Sequence, residues 1–390
     1  MSAVEHIGTM ALPEGGRVDF SRLRRERRQR LFEAMAGAGV DALVLGRPAN
    51  VAFASGARQL WTAGTRPFGP ACVLVASTGR VHLLSTWDEG VPAEIPHRDL
   101  IGLSWNPVVV LARLESIDGL DRASRVATDG WGPSSSDLLS ALCPDAAVVD
   151  GSRLLHQARA VKSPDELTCL MTAAAVAEAA LSAMSQALQP GVTERQLVGV
   201  CAQAVSSLGL TCPPTEGVAW ISTDGARPRR VATDRAMAAG DLVALNPGAI
   251  FAGYEVTVGR TRVVGADATG TGAHRFDSLS ALEVRAALDA VIAECRPGAT
   301  GAQLMEAWER YGRSPLVEPL AWGLGLGVEP PVVGPGATGR AAHIRAGAVL
   351  AVQAWSYRDG SGGILEQDVI VVDPEGPTRL TRARPGLLVG

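Results

Sequence analysis

Two stretches in the second half of the chain bring together side chains that could do chemistry. Gly240-Asp241-Leu242-Val243-Ala244-Leu245-Asn246-Pro247-Gly248-Ala249 is followed by Gly253-Tyr254-Glu255-Val256-Thr257-Val258-Gly259-Arg260-Thr261. In an extended strand alternate residues share a side, so Glu255, Thr257 and Gly259 point the same way unless a bulge shifts the phase. Glu255 then offers a carboxylate for proton transfer. Trp220, Trp322 and Trp355 offer flat faces for a planar or cationic ligand, or simply fill core. Arg229 stays charged near neutral pH: it can pair with a ligand carboxylate or stabilise an oxyanion, but it cannot act as a base. Glu329 and Glu366 are further acid–base candidates. Thiol and thiol-metal chemistry have little support. The six cysteines stand singly, with no CxxC pair and no Cys/His cluster. His274 and His343, the only histidines beyond residue 158, lie in loop-like stretches.

The elements that must position these residues fall into two groups. In the first, Arg22 to Gly39 reads as an amphipathic helix ended by glycine. Strands are expected at Ala42–Leu45, Val108–Ala112, Arg125–Thr128 and Ala146–Asp150. A hairpin pairs Cys72–Ala76 with Val81–Ser85, a turn covers Arg47 to Asn50, and a helix covers Ser134–Leu142. Strands alternating with helices indicate an α/β layout. The second group opens at Ser163, an N-cap with Pro164 in the first turn and Glu166 closing a capping box, on a helix running to Leu188. Further helices are expected from Thr193, over Phe276–Cys295 and over Ala302–Tyr311. Strands are expected at Leu242–Leu245, Tyr254–Arg262, Ala348–Gln353 and Asp368–Val372, giving an α+β layout.

The landmarks occur in a recognisable order. Arg159-Ala160-Val161-Lys162-Ser163-Pro164-Asp165-Glu166 resembles an R-x-x-K-S-x-x-E linker, and Pro190-Gly191-Val192-Thr193-Glu194 a PGxTE helix boundary. Arg296-Pro297-Gly298-Ala299-Thr300 looks like a second copy of that boundary, and Pro48 to Gly56 like a P-x-N-x-x-Y-x-x-G turn with Phe53 for the Tyr. With the hairpin these resemble the creatinase/prolidase/methionine aminopeptidase family (peptidase M24), over nearly the whole chain. The resemblance implies a C-terminal pita-bread (creatinase/aminopeptidase-like) α+β domain, residues 158–390, preceded by a smaller α/β creatinase N-terminal-like domain, residues 1–157. That family holds two metal ions, and here the resemblance maps its ligands onto residues unlike them. Its two Asp correspond to Asn246 and Thr257, its His to Trp322, and the Glu of its E-P-G turn to Gln353. Its last Glu corresponds to Gln367 if Gly362-Gly363 is aligned without a gap, or to Glu366 after a shift of one residue. Its second His falls near Glu329, and its Pro-His pair corresponds to Pro228-Arg229. In creatinase-like dimers an Arg from this region of the partner subunit's first domain reaches the substrate carboxylate; here Arg58 and Arg66 lie in that region, and Arg66 is the choice.

Neutral amides and hydroxyls are weak ligands for hard divalent cations, so no metal and no other cofactor is expected. Asn246, Gln353 and Gln367 keep donors and acceptors where carboxylates stood, which predicts a polar pocket. The expected function is a metal-independent enzyme acting on a small carboxylate-bearing or aromatic molecule, by C–N hydrolysis, elimination, isomerisation or cyclisation, with specialised metabolite biosynthesis as its setting. Asn246, Gln353 and Gln367 would stabilise developing charge, with Glu255 and Arg229 beside them. Thr257, Trp220, Trp322, Trp355, Glu329, Glu366 and Arg66 would bind substrate. The alternative is a non-catalytic pseudo-peptidase binding a ligand or a protein. A net charge of -4 over 390 residues, with no dominant basic stripe, argues against nucleic-acid and anionic-membrane partners. No apolar run reaches the ~20 residues a membrane span needs. The N-terminus shows no signal peptide. A small-molecule ligand, a homodimer and a reducing cytoplasm are the expectations.

Overall fold

The computed structural model describes residues 18–57, 72–85, 90–102, 106–130, 135–214, 217–224, 228, 230–265, 278–311, 318–358 and 362–383. The chain divides into two compact units, Asp19–Arg159 and the chain from Ala160 onward.

In the first unit Asp19 caps α1 (Phe20–Ala38) by accepting from the Arg22 amide at 2.9 Å, and Gly39 closes it in the left-handed conformation. Then come β1 (Ala42–Leu45), α2 (Pro48–Ser55), β2 (Cys72–Val75), β3 (Arg80–Leu84), β4 (Leu100–Ile101), α3 (Pro107–Glu115), β5 (Arg125–Thr128), α4 (Ser135–Leu142), β6 (Ala147–Asp150) and α5 (Ser152–Ala160). The strands form one sheet in the order β4-β3-β2-β1-β5-β6, with β2 antiparallel to its neighbours and β1, β5 and β6 parallel. Two expectations need correction. The turn at Arg47–Asn50 is the start of α2, with Pro48 in its first turn. The strand at Val108–Ala112 is helix α3: Asn106 accepts from the Val108 amide at 3.0 Å and Pro107 presets the first turn. A short, continuous apolar run does not tell strand from helix; here Val110 and Leu114, four apart, are buried while Val108 is 70% exposed.

The second unit opens with α6 (Pro164–Gln186) under the expected Ser163–Glu166 capping box, and α7 (Glu194–Ser207) has its own box from Thr193 and Gln196. By length and composition α6 could cross a membrane, contrary to the expectation that no run reaches that size. In this fold it packs against α7 and a two-stranded hairpin, β9 (Gly248–Phe251) with β10 (Tyr254–Thr257). Beside β7 (Ala219–Ile221) and β8 (Leu242–Leu245) run β11 (Gly259–Val263), β12 (Ala321–Gly325), β13 (Gly327–Val333), β14 (Val349–Arg358), β15 (Gly362–Asp373) and β16 (Gly376–Arg379). Among the described residues these form an antiparallel sheet in the order β13-β12-β14-β15-β11-β8-β7, with β16 on β15. The single strand expected over Tyr254–Arg262 is therefore two. Its first half pairs with β9, its second with β8 and β15, and Val258, bonded to the Pro247 carbonyl at 3.0 Å, is where the chain changes sheets.

Helices α8 (Ser278–Glu294), α9 (Gly301–Glu309) and the short α10 (Ala337–Arg340) complete the unit. Val284, Leu288 and Val291 of α8 and Leu304 and Trp308 of α9 share a core with Leu350, Val352 and Ala354 of β14 and with Ile364 and Ile370 of β15. Because strand residues alternate, that packing fixes the other face of the sheet as the one carrying Gln353, Trp355, Leu365 and Gln367.

Candidate functional site

Register lines up the polar residues on this second face. Gly259, Gln367 and Gln353 lie directly opposite one another across β11, β15 and β14. A side chain at Gly259 would press within 2.9 Å of Gln367, so the glycine leaves the amide its room. Asn246, immediately after β8, donates from Nδ2 to Gln367 Oε1 at 3.2 Å. Gln367 Nε2 in turn donates to Thr257 Oγ1 at 2.7 Å and to the Thr257 carbonyl at 2.9 Å. All three residues are buried. Gln353 Nε2 donates to the Pro319 carbonyl at 2.8 Å and to Glu318 Oε2 at 3.1 Å. Glu318 thus stands at the site although nothing in the sequence singled it out: it lies between strands, next to Pro319, without periodicity to orient it.

Glu255 follows from the alternation of β10. Tyr254 Oη donates to Glu166 Oε1 at 2.7 Å, which turns Tyr254 towards α6 and places Glu255 with Thr257 on the opposite side. Glu255 is partly buried and has no hydrogen bond or ion pair among the described residues. Burial pushes its carboxyl above the ordinary carboxylate range. A carboxyl so shifted holds and releases a proton closer to neutrality, as general acid–base work requires.

The three tryptophans reach the same face. Trp220 is opposite Ala244, Trp322 is opposite Ala351, and Trp355 is opposite Leu365. The Trp220 and Trp355 rings lie 6.0 Å apart at 44°, packed with Ala244 and Leu365. Trp355 lies over Gly363, where any Cβ would collide with the ring. All three indoles are buried, so they form a packed inner wall. The Trp220 Nε1 donor, also buried, has no hydrogen-bond partner among the described residues.

Two expected residues fall elsewhere. Glu366 belongs to the helix-covered face of β15, 3.5 Å from Arg260 Nε and 3.6 Å from Arg285 Nη1 of α8, and is not a substrate-binding candidate. The choice left open by the glycine pair therefore falls on Gln367. Glu329 stands beside β12, opposite Gly323, but Lys162 Nζ engages its carboxylate at 2.8 Å and both are buried. Lys162 is the chain's only lysine, and its part in this pair was not foreseen. Arg229 and Arg66 lie outside the described residues.

Residues 168–374 match the model of metallopeptidase family M24, and residues 27–161 match that of the creatinase/prolidase N-terminal domain. The Xaa-Pro dipeptidase of Pyrococcus furiosus is 23% identical over 378 residues, 93% of this chain and 100% of the relative. The creatinase of a Bacillus species is 26% identical over 271 residues, 65% of this chain and 64% of that one. Among solved structures, the prolidase from Pyrococcus horikoshii OT3 superposes with a TM-score of 0.76 at 20% identity, covering 93% of this chain and 100% of that one.

A metallopeptidase family implies metal, and the donor set here does not fit it. The five positions onto which the sequence resemblance maps the family's ligands hold two glutamines, an asparagine, a threonine and a tryptophan, whose indole has no lone pair to give. Three of those side chains already satisfy one another, with the Gln367 amide nitrogen turned to Thr257 and its oxygen to Asn246. Among the described residues no three His, Cys, Asp or Glu are placed to hold a metal ion.

Proposed function

This chain belongs to metallopeptidase family M24, and from that premise we propose that it is an Xaa-Pro peptidase/creatinase-like enzyme that works without a metal ion on a small carboxylate-bearing or aromatic molecule. The observation that carries the reading is the neutral, hydrogen-bonded set Asn246–Gln367–Thr257 where the family's ligands are expected. Its relatives' names, Xaa-Pro dipeptidase and creatinase, point to chemistry beside a nitrogen atom, so cleavage or rearrangement at a C–N bond is the favoured class. The roles follow from donors and charge. Glu255 moves the proton. The amides of Asn246 and Gln353 are fixed dipoles beside developing charge; such groups act strongly where water is excluded. The tryptophans bind the flat or apolar part of the substrate.

The test is a thermal-shift screen of amino acids, dipeptides and guanidino acids, followed by turnover assays of the compounds that stabilise the protein. Conversion should persist in excess chelator and be lost in Glu255→Gln. A rate that disappears on chelation and returns with divalent metal would overturn the proposal. A second reading, a pseudo-peptidase that only binds, is favoured by the mutual satisfaction of the amides. It predicts stabilising ligands and no conversion of any of them.

A further inference from the structure

The six cysteines stand singly in the sequence, yet the fold brings two of them together. On α7, Leu197, Cys201 and Val205 follow at intervals of four and form a buried stripe. The helix is capped at Leu208, and Gly209, in the left-handed conformation, turns the chain back along it. Leu210 donates its amide to the Val205 carbonyl at 3.2 Å, which sets the register of the return. From Val205 back to Cys201 is about 6 Å along the helix. From Leu210 forward to Cys212 is about 6.6 Å of extended chain. Leu210 is buried and Thr211 exposed, so alternation turns the half-buried Cys212 towards α7. The Cys201 and Cys212 sulfurs accordingly lie within hydrogen-bonding reach of each other, and Cys201 also faces the Gly248 amide of β9.

The segment that carries Cys212 backs the β9–β10 hairpin. The Thr211 carbonyl accepts from the Ile250 amide at 2.8 Å. Gly248 stands opposite Thr257, and a Cβ there would meet Pro213 Cγ at 2.9 Å and Thr257 Cγ2 at 2.8 Å. The other four cysteines, Cys72, Cys143, Cys169 and Cys295, are buried, which leaves Cys212 as the thiol an oxidant in solution meets first. Burial pushes both thiols of the pair up, Cys201 to about 12, and the neighbouring Cys201 pulls Cys212 part of the way back. Cys212 is thus the better thiolate, and its reaction is slow.

We propose that Cys201 and Cys212 form an oxidative modification site, at which hydrogen peroxide converts the two thiols to a disulfide that pins the Thr211–Pro213 segment to α7 behind the hairpin. The Cys212 thiolate attacks one peroxide oxygen and the O–O bond breaks. The departing hydroxide takes up the proton Cys212 gave off and leaves as water, with Cys212 now a sulfenic acid. The Cys201 sulfur then attacks the Cys212 sulfur and the S–O bond breaks. The hydroxide leaves with the Cys201 proton as a second water. Two thiols are oxidised and one peroxide is reduced.

The test treats the folded full chain with hydrogen peroxide and maps its peptides by mass spectrometry without reduction. The expected product is an intramolecular cross-link between the peptides of Cys201 and Cys212, lighter by two hydrogen atoms and reversed by dithiothreitol. The oxidised chain should melt a few degrees above the reduced one, since the bond restricts the unfolded chain. Cys212→Ser should show neither the cross-link nor the rise. Cys201→Ser should stop at the sulfenic acid of Cys212, trapped by dimedone. Cys212 carried to sulfinic acid in the wild type without a cross-link, a disulfide from Cys212 to a second chain or to another cysteine, or a cross-linked chain that melts no higher than the reduced one would each overturn the inference.

Discussion

Glu255 enters folding as well as chemistry. Burial raises its folded-state carboxyl above the ordinary range, whereas the unfolded chain titrates within that range. Below the ordinary range both states are protonated and the residue adds no penalty. As pH rises, the unfolded chain ionises first, and stability falls until pH passes the raised folded value. Glu255→Gln removes this penalty. The variant should melt above the wild type at neutral pH, with the gain vanishing in acid; melting curves across pH would show it. A variant that melts below the wild type at neutral pH would mean that the carboxylate has a stabilising partner. Glu255's side of the strand was legible because a strand's period is two. The choice between Glu366 and Gln367 was not, since one residue of slip at Gly362-Gly363 exchanges the faces, and only the pairing with Gln353 and Gly259 decides it. Glu318 carried no signal at all.

Elements hold the site through a few buried polar ties. Lys162, in the linker before α6, meets Glu329 of β13 with side chains 2% and 6% exposed. Removing one partner strands a buried charge. Lys162→Met should therefore cost about 3–5 kcal/mol, and the double variant Lys162→Met/Glu329→Leu should recover most of it. Urea unfolding of the two variants measures both numbers; a single variant within ~0.5 kcal/mol of wild type would show that the pair is solvated. Helix ends were readable from Ser163, Thr193 and Thr300, each the anchor of a capping box. The Val108 run was not, because its helix is set by Asn106 and Pro107 ahead of it. The break at Val258 was hidden too, since a strand leaving one sheet for another keeps the same alternation.

At the scale of the molecule, the order of the linker, the two Pro-Gly boundaries and the hairpin made the pita-bread fold legible. No single one of them would have sufficed. The chemistry was less legible because the frame and the site carry different information: glycines and prolines set the backbone path, whereas the side chains at the ends of β8, β10, β14 and β15 set what the face can bind. Here the path resembles the prolidases, and the proposed departure lies in the side chains of Asn246, Thr257, Gln353 and Gln367. The central claim is that these residues hold no metal. It is tested most directly by loading the purified chain with Mn²⁺ or Zn²⁺, desalting it, and measuring divalent metal per chain by mass spectrometry alongside its melting temperature. The account predicts well under one ion per chain and an unchanged melting temperature. Two ions held through desalting, with a raised melting temperature, would contradict it.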